Sequence, residues 1–254
     1  MPQTRAQGIR VVGRFENHIT VAVVIPTFNE AENIGTIVQK LIELEIEDLG
    51  ILFVDDSSPD GTGEIADGLA DEHPGRILVA HRGGKLGLGT AYIAGFKIAL
   101  DAGVARIVQM DCDLSHPPAE VPRMIELLQC ADVVVGTRYS DGGAVDPNWK
   151  KSRVLLSKWA NYGIRAILGL KIHDATGGFK GFNRNALEAI DLDRLTITGF
   201  GFQAEVAHRT QRSGLTVVEH PFTFVERTAG KSKMSLQIAI EAFWRLTLLR
   251  FKAN

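Results

Sequence analysis

Apolar residues along this chain fall in short continuous runs, separated by longer stretches of helical spacing. The run Val21-Ala-Val-Val-Ile25 has no polar position, the pattern of a strand buried on both faces. Similar runs occupy residues 51–54 and 77–80, and residues 107–110 and 132–135 are apolar apart from Gln109 and Asp132. Between them, apolar positions recur at helical spacing over residues 31–44, 62–72, 90–102 and 119–129, which predicts helices. Strands alternating with helices through short connections predict an α/β fold: a mostly parallel sheet with right-handed crossovers and helices on both faces. The pattern loosens after Tyr139. A Gly/Asp-rich loop at 140–148 leads to a basic helix start at 150–153, then a strand-like stretch at 215–224 and a polar loop at 226–235. Three parts are expected: a flexible leader over 1–18, one folded domain over 19–235, and an amphipathic helix over 236–254.

Polar residues follow the strands. Glu30 comes after the first, Asp55 and Asp56 after the second, Asp111 and Asp113 after the fourth, Arg138 after the fifth. In a parallel sheet these lie along one edge, where ligands of open α/β sheets bind. Asp111 and Asp113 are two apart and so share a face if the strand continues through them. Two carboxylates that close favour a cation between them, and hard oxygens select Mg²⁺ or Mn²⁺. Cys112 packs as a small residue between them.

Other clusters have plainer readings. Asp55 either caps the following helix or joins the site, and Asp56 is the better candidate to hydrogen-bond a base or ribose. Residues 83–89 (Gly-Gly-Lys-Leu-Gly-Leu-Gly) lack both the P-loop frame and the third glycine of a dinucleotide fingerprint, so they predict a flexible loop entering a helix. His116 is a turn residue before a Pro-started helix or, less simply, a metal ligand. Trp149, Trp159 and Trp244 read as core or interface residues.

Composition narrows the partners. The 254 residues are 45% hydrophobic and 23% charged, with a net charge of -2. That suits one large domain and supplies no overall positive field for nucleic acid. Two cysteines, Cys112 and Cys130, make no disulfide framework or zinc site, so a cytoplasmic setting is expected. No run of 18 apolar residues occurs, and residues 1–17 lack the apolar core of a signal peptide. Residues 236–252 are apolar, with Arg245, Arg250 and Lys252 interspersed. This segment either lies in a bilayer interface or packs on the domain.

Eight stretches resemble the family 2 glycosyltransferases of GT-A (Rossmann-like) fold, and within them the polyprenol- and dolichol-phosphate mannose synthases, soluble actinobacterial type. They are Val24-Ile-Pro-Thr-Phe-Asn-Glu30, Val54-Asp-Asp-Ser-Ser-Pro-Asp-Gly61, Gly87-Leu-Gly-Thr-Ala-Tyr92, Met110-Asp-Cys-Asp-Leu-Ser-His-Pro-Pro118, Val135-Gly-Thr-Arg-Tyr139, Asp174-Ala-Thr-Gly-Gly-Phe179, Gly201-Phe-Gln-Ala-Glu205 and Arg227-Thr-Ala-Gly-Lys-Ser-Lys233. The resemblance covers roughly residues 20–235 in family order. It implies that Pro26, Phe28, Glu30, Val54 and Asp56 hold guanosine. It places Asp111, Cys112 and Asp113 at the donor diphosphate, with the two aspartates on the metal. It sets Arg227 and Lys233 as a clamp on the donor phosphates, and Gln203 and Glu205 beside the sugar. It turns Arg138 toward the acceptor phosphate or the sugar, and puts Arg153 and Ser157 where the family holds the lipid phosphate. Ser115 stands where many relatives carry Gln, and Lys180 where relatives often carry Arg.

The implied reaction is transfer of mannose from GDP-mannose to a polyprenyl or dolichyl phosphate, with inversion. The lipid implies peripheral contact with the cytoplasmic face of a membrane, through the basic stretch 150–158 and the C-terminal segment, or through an integral membrane partner. Rival readings are a UDP-glucose-dependent enzyme of the same fold, a nucleotidyltransferase, and a nucleotide-sugar-binding module without turnover. A processive polysaccharide synthase is disfavoured, because no Gln-x-x-Arg-Trp motif occurs.

Overall fold

A computed structural model describes residues 8–199, 201–226 and 246–247. Among these residues the strands are β1 (Arg10–Gly13), β2 (Val21–Thr27), β3 (Leu49–Asp55), β4 (Ile77–His81), β5 (Arg106–Gln109), β6 (Val133–Thr137), β7 (Ala144–Val145), β8 (Lys180–Asn183), β9 (Val217–Pro221) and β10 (Thr223–Phe224). The α-helices are α1 (Ile34–Ile42), α2 (Thr62–Glu72), α3 (Leu88–Asp101), α4 (Val121–Leu127), α5 (Lys151–Leu168), α6 (Arg184–Ile190) and α7 (Phe202–Arg212).

Eight strands form one sheet in the order β1-β4-β3-β2-β5-β8-β6-β9, while β7 and β10 pair beside it. β2 to β5 are mutually parallel. β8 runs antiparallel to both its neighbours, β5 and β6, so β6 and its parallel partner β9 point the same way as β2. Six strands thus share one direction.

Alternation along the strands builds two layers of core. Val21, Val23 and Ile25 face α1, α2 and α4 in one cluster. Ala22 and Val24 face α3, α6 and α7 in the other. This explains the unbroken apolar runs: both faces of the central strands are covered.

Two elements differ from the sequence expectation. Residues 10–13, placed in a flexible leader, are an edge strand pairing antiparallel with β4; the run Arg-Val-Val-Gly is too short to signal a strand alone. β8 sits near the centre of the sheet although Lys-Gly-Phe-Asn carries only one apolar residue. Its glycine suits a tight site, since a Cβ at Gly181 would lie 3.1 Å from a Leu128 methyl. The segments expected as a polar loop beyond 226 and as a C-terminal amphipathic helix lie, apart from residues 246–247, outside the described residues.

Candidate functional site

The carboxyl ends of β2, β3, β5 and β6 open on one edge of the sheet, where the crossover helices leave room for a ligand. Around the end of β5, each carboxylate is oriented by a neighbour. The Tyr92 hydroxyl, on buried α3, donates to Asp111 Oδ1 at 2.9 Å. Burial, reinforced by the Asp111 charge, pushes the Tyr92 phenol well above its ordinary pKa of 10.0, so it stays a donor. The Ser115 hydroxyl and N–H donate to Asp113 Oδ1 at 2.6 and 3.1 Å. Asp111 keeps 37% of its side chain exposed, whereas Asp113 is buried.

His116 is a structural residue. It is buried and stacked on Phe179, ring centroids 5.3 Å apart. Its Nδ1 accepts the Asp111 N–H at 3.1 Å. Burial lowers its pKa below the ordinary 6.5, so the ring is neutral with its proton on Nε2. Gly178 lets the next loop close over this corner: a Cβ there would lie 3.2 Å from His116 Cε1 and 3.5 Å from Asp111 Oδ2. Among the described residues no three His, Cys, Asp or Glu side chains converge as a metal cage. Asp111 and Asp113 at this open edge offer hard oxygen donors that could hold a Mg²⁺ or Mn²⁺.

On the β2–β3 side the residues separate by role. Asp55 caps the turn, accepting the Ser58 N–H at 3.1 Å and its hydroxyl at 2.5 Å. Asp56 is buried and forks onto Arg82, Oδ1 to Nε 2.5 Å and Oδ2 to Nη2 2.8 Å. Arg82 also donates to Thr90 Oγ1 at 2.8 Å, tying the glycine loop to β3. No sequence pattern had singled out Arg82, which lies one residue past β4. Phe28 carries Lys85 Nζ 4.2 Å above its ring centroid, and Glu30 accepts from Asn33 Nδ2 at 2.8 Å. Pro26 lies near the end of β2.

Two expected binding residues point their side chains into the core. Val54 belongs to the cluster beneath α3 and Cys112 to the opposite one. Only their main chain reaches the edge. The glycine loop is tight for a packing reason: Gly87 has φ +104°, and a Cβ at Gly89 would lie 2.7 Å from the Ile197 carbonyl.

On the β6 side Arg138 forks onto Asp174, Nε to Oδ2 2.7 Å and Nη2 to Oδ1 2.9 Å. Both are buried. Burial pushes the Asp174 carboxyl up, but the Arg138 charge and the bonds it accepts more than offset this and hold it below its ordinary value. Lys180 is buried and donates to the Gly177 carbonyl and, at 2.7 Å, to Gln203 Oε1. Burial without a direct carboxylate lowers its pKa to about 7. Glu205 lies off the edge: it is buried and accepts the N–H groups of Thr196 and Ile197 at 2.8–3.1 Å. It shapes the segment that packs on Gly87 and Gly89, and does not border an open sugar pocket.

On α5, Arg153 stacks on Trp149, 3.8 Å from the ring centroid, and pairs with Glu226 at 3.2 Å. Ser157 Oγ shares a 2.6 Å bond with the Tyr139 hydroxyl. Arg227 and Lys233 lie outside the described residues.

The chain is similar to known proteins in sequence and in fold. The family described as glycosyl transferase family 2 matches residues 22–191. The chain is 44% identical over 225 residues to a polyprenol monophosphomannose synthase of Mycolicibacterium smegmatis, covering 88% of this chain and 84% of the relative. It is 43% identical over 227 residues to an undecaprenyl-phosphate mannosyltransferase of Micrococcus luteus, covering 89% and 92%. In fold it is similar to a mannosyltransferase of Pyrobaculum calidifontis in complex with GDP-Man and Mn²⁺, with TM-score 0.61, 18% identity and coverage of 92% of this chain and 64% of that one.

Proposed function

Because the chain belongs to glycosyltransferase family 2, we propose that it transfers mannose from GDP-mannose to the phosphate of a polyprenyl phosphate, with inversion at the anomeric carbon. One observation carries the reading. An acidic pair follows β5 and an arginine follows β6, and these strands lie two positions apart in the sheet. Strand spacing puts their ends about 10 Å apart, room for one hexose between a metal-held diphosphate and an anionic acceptor. Support for the mannosyl group and the lipid phosphate comes from the two relatives, a polyprenol monophosphomannose synthase and an undecaprenyl-phosphate mannosyltransferase.

The acceptor needs little activation. A phosphomonoester has a second pKa near 6 and is largely dianionic at neutral pH, so its oxygen attacks C1 directly as the bond from C1 to the diphosphate oxygen breaks. Inversion turns an α-linked donor into a β-mannosyl phosphate. The protein's work is to gather two anionic reactants and stabilise the leaving diphosphate. Asp111 and Asp113 would hold Mg²⁺ or Mn²⁺, which supplies positive charge to that leaving group. Arg227 and Lys233 would clamp the same phosphates. Asp56, fixed by Arg82, would accept hydrogen bonds from the base or ribose, beside Pro26, Phe28 and Glu30. Gln203, fixed by Lys180, would border the sugar. Arg138, Arg153 and Ser157 would receive the acceptor phosphate.

The same reading places the protein peripherally at a membrane surface. Among the described residues no helix is long and apolar enough to cross a membrane. Yet α5 exposes Leu155, Leu156, Trp159 and Tyr162, each by more than half, beside exposed Lys151 and Lys158. An apolar face flanked by lysines suits an anionic bilayer interface.

A donor panel tests the reading: labelled GDP-mannose and UDP-glucose offered with a polyprenyl phosphate, and the product's anomeric configuration read by NMR. β-Mannosyl product from GDP-mannose is expected. Transfer from UDP-glucose alone would move the donor assignment, and an α-linked product would overturn single-displacement inversion.

A further inference from the structure

A cavity of about 440 Å³ opens between helix α7 and the sheet edge formed by β6 and β9. Val133 pairs with Val217 and Val135 with Glu219. Alternate residues of a strand share a face, so these four side chains make one floor. Ala207 and Thr210 lie over it from α7, three residues apart and therefore on one helical face. At the mouth, a Cβ at exposed Gly214 would meet nothing within 4 Å. None of the residues assigned to the donor, the metal or the acceptor lines this cavity.

The walls combine short apolar side chains with one orphaned hydroxyl. Thr210 is buried, and its Oγ1 has no hydrogen-bond partner among the described residues. Buried hydroxyls are normally satisfied, so this one calls for a partner within the cavity. Lys171 stands beside it, its N–H donating to Gln211 Oε1 at 2.9 Å. The Lys171 side chain is exposed and forms no ion pair among the described residues. The one carboxylate in the lining, Glu219, is already spent. It accepts the His173 N–H at 2.7 Å and meets the His173 Nδ1 at 2.7 Å. Lys180, also in the lining, uses two of its three N–H donors on Gly177 and Gln203. Two lysines against one occupied carboxylate leave a positive balance.

We infer that this cavity is a binding site for a small amphiphilic monoanion, of the class of a medium-chain carboxylate. Its apolar body would lie on Val133, Val135 and Val217. Its acid group would accept from the Thr210 hydroxyl, within reach of the Lys171 charge. The volume falls in the range of small-molecule sites, about 300–1,000 Å³. The inference does not depend on the transferase reading.

The test uses anilinonaphthalene sulfonate, an apolar ring system with one sulfonate, whose fluorescence rises in apolar cavities. It is titrated into the full chain and displaced with octanoate, octanol and octylamine, which share a chain and differ in head group. Wild type is compared with Val217→Trp, Thr210→Val and Lys171→Gln, with thermal melts to verify folding. Saturable binding is expected, displaced best by octanoate and worst by octylamine. Val217→Trp should fill the cavity and abolish octanoate-sensitive binding. Thr210→Val should weaken octanoate about tenfold, the size of one lost hydrogen bond to a charged group. Lys171→Gln should weaken it about threefold, as for an exposed charge. Octanoate-sensitive binding that persists in folded Val217→Trp would place the ligand elsewhere and overturn the proposal. If Val217→Trp does not fold, unchanged octanoate affinity in Thr210→Val overturns it equally. Displacement by octylamine as strong as by octanoate would refute the anionic class.

Discussion

The two sides of the sheet are held together by different means. From β2 to β4 the strands are continuous apolar runs, each paired in parallel with its neighbour and closed by an amphipathic helix. From β8 to β9 the pattern is short, mixed in direction, and pinned by buried polar links. Arg138 grips Asp174, and Lys180 ties Gly177 to Gln203. Asn161 donates to the His173 carbonyl at 2.6 Å and accepts from the Ala175 N–H at 2.9 Å. The first side buries apolar area and tolerates sequence drift that preserves volume. The second depends on partners, because an orphaned buried charge or donor costs more than a paired one contributes.

The comparison is broken most easily at Asp174. Asp174→Ala strands the buried Arg138 guanidinium and removes the acceptor of the Gly177 N–H. A loss of about 3–5 kcal/mol in denaturant unfolding is expected. The double variant Arg138→Met, Asp174→Leu should regain most of that stability but not transferase activity. A single-variant loss below about 1 kcal/mol would mean the pair is effectively solvated, and the contrast between the sides would collapse.

Arg82→Met probes the polar link on the first side. It leaves Asp56 buried and unpaired, so a similar loss of about 3 kcal/mol is expected, with weaker nucleotide binding by calorimetry. Wild-type nucleotide affinity in the folded variant would remove Asp56 from the binding site.

Gly89→Ala tests where the two sides meet. Its Cβ would lie 2.7 Å from the Ile197 carbonyl and 2.9 Å from Phe202 Cβ, both tied to α7. Overpacking of this kind costs about 1–3 kcal/mol, read as a lower melting temperature.

Lys180 gives a pH-dependent contrast. Its folded pKa of about 7 lies below its ordinary 10.5, so between those values the unfolded chain binds more protons. Its contribution to stability therefore rises with pH across that window, and the cost of burying the charged amine is greatest below about pH 7. Lys180→Met should gain most, relative to wild type, at about pH 6 and least at about pH 10. Equal effects at both would mean the amine keeps an ordinary pKa.

The smallest effect is expected at Tyr139→Phe. Loss of its bond to Ser157 should cost about 1 kcal/mol in thermal denaturation and leave the fold intact.

This division also explains what the sequence could reveal. Runs such as 21–25 and 51–54 state their burial on both faces, and their alternation with helices makes a parallel sheet legible, though not the strand order. The placement of Glu30, Asp56, Asp111, Asp113 and Arg138 after strands of one direction was legible in the same way. β8 was not legible, because its strand state comes from neighbours on both sides and not from its own side chains. Arg82 and Asp174 were invisible as partners for the same reason: their significance is a pairing across 26 and 36 residues. Val54 and Cys112 lie inside the expected binding motifs but turn their side chains into the core, Val54 from within β3 and Cys112 from the turn after β5. Glu205 misled because a carboxylate near a cleft also serves as a backbone cap.

The most direct test of the account is transfer of labelled mannose from GDP-mannose into the lipid phase, with polyprenyl phosphate and Mg²⁺ or Mn²⁺, in wild type and in Asp113→Asn. The account predicts metal-dependent formation of a polyprenyl-phosphate mannose in wild type, and loss of at least about a hundredfold in rate in a variant that remains folded. Undiminished transfer in Asp113→Asn, or transfer indifferent to chelation of divalent ions, would contradict it.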